Sequence, residues 1–289
     1  MMKRLFVSSA LAFGILVFAL VFAVNPVFAA QSQRSDVNNT YAALGDSVAA
    51  GFGLRQSSSD PADVACARST QSYPHDVAAA LQMPLDHLAC TGASTNQGLY
   101  GSQQVTQSLT LAPQIDQAFA HGTPRLMTIT IGANDVQWNN FITKCYVTGC
   151  GSTQDNIQFE ALLLQLRVRL FVALADIRMH SGNNSTPRVL LTGYYAVVSN
   201  DQPHCSDTDG LTSAAISWIN DKEVELNNVI RQATIPFPFV QFLPVNFTGH
   251  EFCSYEPWVQ GLTAPAPFHP IAIGQAAIAQ SILSAYGKN

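Results

Sequence analysis

Five short apolar runs, at residues 41–44, 85–89, 126–131, 189–192 and 239–243, alternate along this chain with stretches of helical periodicity. That alternation constrains the fold more than any other feature. Neighbouring parallel strands need crossover connections, and helices are what supply them. The helical stretches fall at 74–81, 113–119, 156–180, 211–232 and 274–286. The longest of them carries Leu162, Leu163, Leu166, Leu170, Val172 and Leu174, read here as one broad apolar face. The pattern predicts a flavodoxin-like, three-layer α/β/α domain around a mostly parallel sheet of about five strands. No repeat and no linker divides it, so residues 40–289 read as a single domain, with 30–39 as a flexible leader.

Ahead of that domain, Lys3 and Arg4 precede an apolar stretch, and Val27-Phe28-Ala29 ends it with a peptidase-like site. Residues 1–29 are therefore expected to be a secretory signal cleaved after Ala29, with an uncleaved membrane anchor as the competing reading. Removing them takes the formal charge from −5 to −7, with 12 basic against 19 acidic residues. A chain so acidic, without basic clusters, is a poor partner for nucleic acid. No stable membrane insertion is expected after cleavage, and a monomer is expected.

Six cysteines follow the signal: Cys66, Cys90, Cys145, Cys150, Cys205 and Cys253. An even number behind a secretory signal reads as three disulfides, although six cysteines allow 15 pairings. Sequential pairing is the most local choice. No Cys-x-x-Cys pair occurs, and His250-Glu251 fails as a zincin motif because position 254 is Ser. No metal or organic cofactor is expected.

The chemistry gathers where the strand-like runs end, which is where open α/β sheets bind ligands. Gly45-Asp46-Ser47 follows the first run, Cys90-Thr91-Gly92-Ala93-Ser94-Thr95 the second, and Gly132-Ala133-Asn134-Asp135 the third; Phe268-His269-Pro270 precedes the last helix. Together they offer a hydroxyl, an exposable backbone N–H, a carboxamide and an imidazole. Acyl transfer from an ester requires that set. Each block also has a plainer reading, with Asp46 and Ser47 capping a helix, Asn134-Asp135 forming a turn and Gly92 serving a positive φ. Trp138, Phe141, Trp258 and Phe268 either line an acyl pocket or belong to the core.

Four of these blocks, YAALGDSVAAGFG (41–53), CTGAST (90–95), TITIGANDV (128–136) and FHP (268–270), stand in one order across most of the chain. In that order they resemble the SGNH hydrolases of the GDSL esterase/lipase family, in particular its secreted bacterial branch. The resemblance implies a secreted esterase or lipase with Ser47 as nucleophile and His269 as general base. It implies an oxyanion hole from the Ser47 and Gly92 backbone N–H groups and the Asn134 side chain. It also supports sequential cysteine pairing. The family usually carries Asp three residues before the histidine, and here that position is Ala266. A Ser–His dyad is therefore expected, with the imidazole steadied by a backbone carbonyl, that of Ala266 being the first candidate. Asp207 and Glu251 are the fallback acids. The same site would also suit a carbohydrate acetylesterase, a phospholipase or a thioesterase, and the missing acid leaves a noncatalytic binding module as the reading from another class.

Overall fold

β1 (Asn38–Gly45), β2 (Leu85–His87), β5 (Pro124–Thr130), β6 (Arg188–Thr192) and β7 (Val240–Leu243) form one parallel sheet in the order β2-β1-β5-β6-β7. The structure is a computed structural model that describes residues 38–182, 185–201 and 210–287. All five apolar runs become strands, with ends that differ from the runs by up to three residues. A short antiparallel pair, β3 (Gln103–Gln104) with β4 (Thr110–Leu111), stands apart from the sheet.

The helices are α1 (Ser47–Ala50), α2 (Pro61–Cys66), α3 (Tyr73–Leu81), α4 (Gln114–Phe119), α5 (Trp138–Val147), α6 (Thr153–His180), α7 (Ser213–Thr234) and α8 (Ala272–Tyr286). α3 packs on α8, and α6 packs on both α7 and α4. The chain moves from β1 outward to β2 and then crosses to β5 on the other side of β1. This reversal leaves a crevice at the carboxyl ends of β1 and β5, the place where such sheets bind ligands.

The central strands β1, β5 and β6 are mostly apolar where both faces are covered. Tyr41, Ala42, Ala43 and Leu44 are fully buried, as are Leu126, Met127, Ile129 and Ile131. Hydroxyls buried among them pair with one another: Tyr41 with Thr128 at 2.6 Å, Tyr73 with Thr130 at 2.9 Å, and Thr130 with Thr192 at 2.6 Å. Unpaired, each would cost about 1–3 kcal/mol.

α6 begins at a capping box between Ser152 and Asp155. Its buried face differs from the expected one. Phe159, Leu163, Leu166, Leu170, Ala173, Leu174 and Ile177 are buried, but Val172 is 45% exposed. At about 100° per residue Val172 lies nearly opposite Leu170, so the real stripe follows the i, i+4, i+7 spacing. Leu164, Val168 and Phe171 are exposed as well.

Cys66–Cys90 and Cys145–Cys150 are disulfide-bonded as the sequential scheme expects, and no described cysteine is free. Cys205 lies outside the described residues, as do the signal segment, most of the leader and Asp207. No helix among the described residues is long and apolar enough to cross a membrane.

Candidate active site

The turn after β1 is held from three sides. Gly45 has φ +135°, a backbone region essentially closed to side chains. The buried Gln114 side chain clamps its peptide groups, accepting the Gly45 N–H at 2.7 Å and donating to the Gly45 carbonyl at 3.0 Å. The Asp46 N–H then binds the Thr130 carbonyl at 2.9 Å, tying the turn to β5. Asp46 caps α1 by accepting the Val48 N–H at 2.9 Å, which leaves Ser47 at the first helical position with its hydroxyl at the crevice.

His269 meets that hydroxyl from the far end of the chain. Its Nε2 lies 2.8 Å from Ser47 Oγ, and its Nδ1 lies 3.1 Å from the carbonyl oxygen of Pro267. Nδ1 therefore donates to Pro267, which corrects the expectation that Ala266 would serve. The Ala266 carbonyl instead accepts the His269 backbone N–H at 3.1 Å, because the turn closes on itself there. Glu251 does not take this place either, since its Oε2 accepts the Gly249 N–H at 2.9 Å. Burial pushes the His269 pKa below its ordinary value of 6.5, and the carbonyls of Pro267 and Ala266 offset part of that shift.

The loop carrying His269 is strained and braced. Phe268 has φ +65°, unfavourable for a side chain by roughly 1–2 kcal/mol. Gln260 compensates with a two-way backbone bridge: its N–H binds the His269 carbonyl at 2.8 Å, and its carbonyl accepts the Phe268 N–H at 2.9 Å. The Tyr195 hydroxyl donates to the Phe268 carbonyl at 3.0 Å. Phe52 presents its ring edge-on to His269, with centroids 5.3 Å apart.

The expected oxyanion donors are placed unequally. Asn134 lines the same cavity as Ser47 and His269. One hydrogen of its amide binds the Ala93 carbonyl at 2.8 Å, which aims the group and leaves the second hydrogen for the cavity. Neither the Ser47 nor the Gly92 N–H has an acceptor among the described residues. Gly92, at φ +80°, lines a separate polar depression with Thr91 and Gln103 rather than the cavity itself. The Cys66–Cys90 bond and two hydrogen bonds from Thr91 to the Cys66 carbonyl anchor its loop.

Polar contacts join the loops. Asp135 accepts from the Thr95 N–H and hydroxyl and pairs with Arg169 at 3.3 Å. The Ala133 N–H binds the Tyr194 hydroxyl at 3.1 Å, and that hydroxyl in turn donates to Asp46 Oδ2. Burial pushes Asp46 up to about 7, against the pull of Tyr194 and the Val48 N–H.

Of the four aromatics proposed for an acyl pocket, Trp138 and Phe268 line the cavity. Phe141 is buried against Phe159 and Trp218, and Trp258 stacks on His250, so both belong elsewhere. Ile142, Val197 and Leu226 complete the apolar lining. A second apolar depression, formed by Phe52, Thr143, Tyr146 and Leu262, also reaches His269 and Phe268 but touches neither Ser47 nor Asn134. Sequence reasoning missed Gln114, Tyr194, Tyr195, Glu223 and Gln260. Only the two tyrosines carried a signal, since Gly193-Tyr194-Tyr195 directly follows a strand-like run.

A model of the GDSL-like lipase/acylhydrolase family matches residues 43–277. Lipase 1 of Streptomyces coelicolor is 29% identical over 279 residues, covering 90% of this chain and 91% of its own. A lipase of Streptomyces rimosus is 30% identical over 264 residues, covering 89% of this chain and 88% of its own. Among solved structures, an extracellular lipase from Streptomyces rimosus aligns with a TM-score of 0.63 and 26% identity, over 85% of this chain and 99% of that one.

Proposed function

This chain belongs to the GDSL-like lipase/acylhydrolase family and is a carboxylic ester hydrolase, and on that premise we propose that Ser47 and His269 act as a dyad through an acyl-enzyme. The observation that carries the reading is the 2.8 Å contact between Ser47 Oγ and His269 Nε2, made across 222 residues of sequence, with Nδ1 on a carbonyl. That carbonyl fixes the tautomer, leaving Nε2 bare to take the serine proton.

Ser47 Oγ attacks the ester carbonyl carbon as its proton passes to Nε2. The carbonyl π pair moves onto oxygen, and that oxyanion is held by the Ser47 N–H and the Asn134 amide, the two expected donors whose residues line the cavity. Collapse of the intermediate expels the alcohol, which takes its proton from Nε2. Water, deprotonated by His269, then attacks the acyl-enzyme and frees Ser47 with the carboxylic acid. The lobe beside Asn134 and Ser47 holds the acyl group. The lobe touching His269 alone holds the leaving alcohol, since that is where the proton is delivered.

Asn134→Ala is expected to lower kcat for p-nitrophenyl esters on the order of a hundredfold or more, with KM little changed. Turnover within about threefold of the parent would remove Asn134 from the oxyanion hole. The pH profile supplies a second check. His269 must be neutral to act as base, and burial lowers its pKa. The acid limb of kcat/KM should therefore be centred below 6.5, with activity rising as pH increases through it. A limb centred well above that value would mean that a carboxylate supports the ring after all.

We also propose that the protein is exported, with residues 1–29 removed. The secretory pattern and a cysteine complement without a free described thiol support this. N-terminal sequencing of the exported protein tests it, a start at Ala30 being the expected result.

A further inference from the structure

One buried acid in the cavity takes no part in that mechanism. Glu223, on α7, is only 9% exposed and lines the acyl lobe together with Ser47 and His269. Its Oε1 accepts a hydrogen bond from Asn227 Nδ2. The Asn227 amide is fully engaged, because Nδ2 also donates to the Tyr194 carbonyl at 2.9 Å and Oδ1 accepts the Tyr194 N–H at 2.8 Å. Asn227 therefore has no hydrogen left for the other oxygen of Glu223. Oε2 has no partner among the described residues.

Among the described residues no cation pairs with this carboxyl. The adjacent Lys222 turns to Glu225, with both carboxylate oxygens within 3.0 Å of Nζ. The other titratable groups around the cavity are Asp46, His269, Tyr194 and Tyr195, and none forms an ion pair or hydrogen bond with Glu223. Burial alone pushes the Glu223 carboxyl up to about 7. The lobe it lines carries apolar Trp138, Ile142, Val197 and Leu226 beside the polar Asn134 and Asn139.

An oxygen in this position is a demand on whatever fills the lobe. A plain hydrocarbon chain that reaches it strips water from Oε2 and returns no hydrogen bond. A hydroxyl satisfies it in either protonation state, donating to the carboxylate or accepting from the acid. We propose that Glu223 sets acyl specificity, so that the lobe takes acyl chains bearing a hydroxyl in preference to unsubstituted chains of the same length. The proposal rests on the reading of this lobe as the acyl site. A cavity built to pair a hydroxyl discriminates far more sharply than one that only measures length.

The test compares kcat/KM for p-nitrophenyl octanoate with its monohydroxylated isomers, the hydroxyl placed in turn on each carbon from the third outward. p-Nitrophenyl acetate is run alongside. At least one isomer should exceed octanoate about tenfold in the parent enzyme. Glu223→Gln, which keeps a donor and an acceptor, should retain that preference. Glu223→Leu should reverse it in favour of octanoate, read as a ratio within the variant so that general losses cancel. The proposal is overturned if octanoate equals or beats every isomer in the parent, or if the Glu223→Leu ratio matches the parent's. If Glu223→Leu does not fold, the parent's own ratios decide. Failure of the parent to cleave even the acetate would instead sink the underlying ester reading.

Discussion

Ser47→Ala is expected to lower p-nitrophenyl ester turnover by roughly a millionfold, to the level that binding and the oxyanion donors sustain without a nucleophile. Ser47 Oγ is the hydroxyl within hydrogen-bond reach of His269 Nε2. The fold should be undisturbed, because among the described residues that contact is the one hydrogen bond Ser47 Oγ makes, and the cap of α1 belongs to Asp46. His269→Ala should lose a similar factor, and the double variant little more, since the two groups act as one unit. A fluorophosphonate should label the parent at Ser47 and leave Ser47→Ala unlabelled. Activity above about 1% of the parent in Ser47→Ala would place the nucleophile elsewhere.

The second large effect falls on stability. Gly45→Ala puts a Cβ 2.2 Å from the Thr130 carbonyl oxygen and 2.9 Å from its nitrogen, at a φ of +135°. The obstruction is backbone in the centre of the sheet, so no side chain can rotate away to relieve it. Strain at such a φ costs about 1–3 kcal/mol, and overpacking costs a similar amount. The displaced turn would also loosen the Gln114 clamp and the Asp46 N–H bond to Thr130. A loss on the order of 4 kcal/mol or more is expected, a large share of the stability of an ordinary domain. Urea denaturation measures it, and a change under about 1 kcal/mol would show that the turn can relax. Whatever protein still folds should also be slow, because Ser47 is two residues along and small misplacements of reacting groups are costly.

These two positions share a tripeptide, but only Ser47 could be picked out before any coordinates were known; the need for Gly45 comes from its φ and from the Thr130 backbone beside it. Ser47 was legible because a hydroxyl at the end of an apolar run stands at the mouth of a parallel strand. Asn134 and His269 were legible from their blocks and chain order. The long α6 was legible in extent but misread in face, because Val172 belongs to a second apolar stripe that the core does not cover. α1 was legible only as a helix that Asp46 and Ser47 could cap, and the structure bears out the Asp46 cap; α2 and α5 escaped notice, since periodicity does not register them.

What the residues determined alone was everything carried by local spacing: the alternation that makes a parallel sheet and the turn chemistry at its mouth. Tertiary structure alone decided which groups meet. Nδ1 of His269 faces Pro267 rather than Ala266 because the left-handed Phe268 turns the loop, and Gln260 and Tyr195 hold it there. Gly92 lines a depression separate from the cavity, and Glu223 brings a carboxyl into the cavity from α7. Such encounters follow from the packing of whole elements. They depend on contacts between residues far apart in the chain, and no local pattern encodes them.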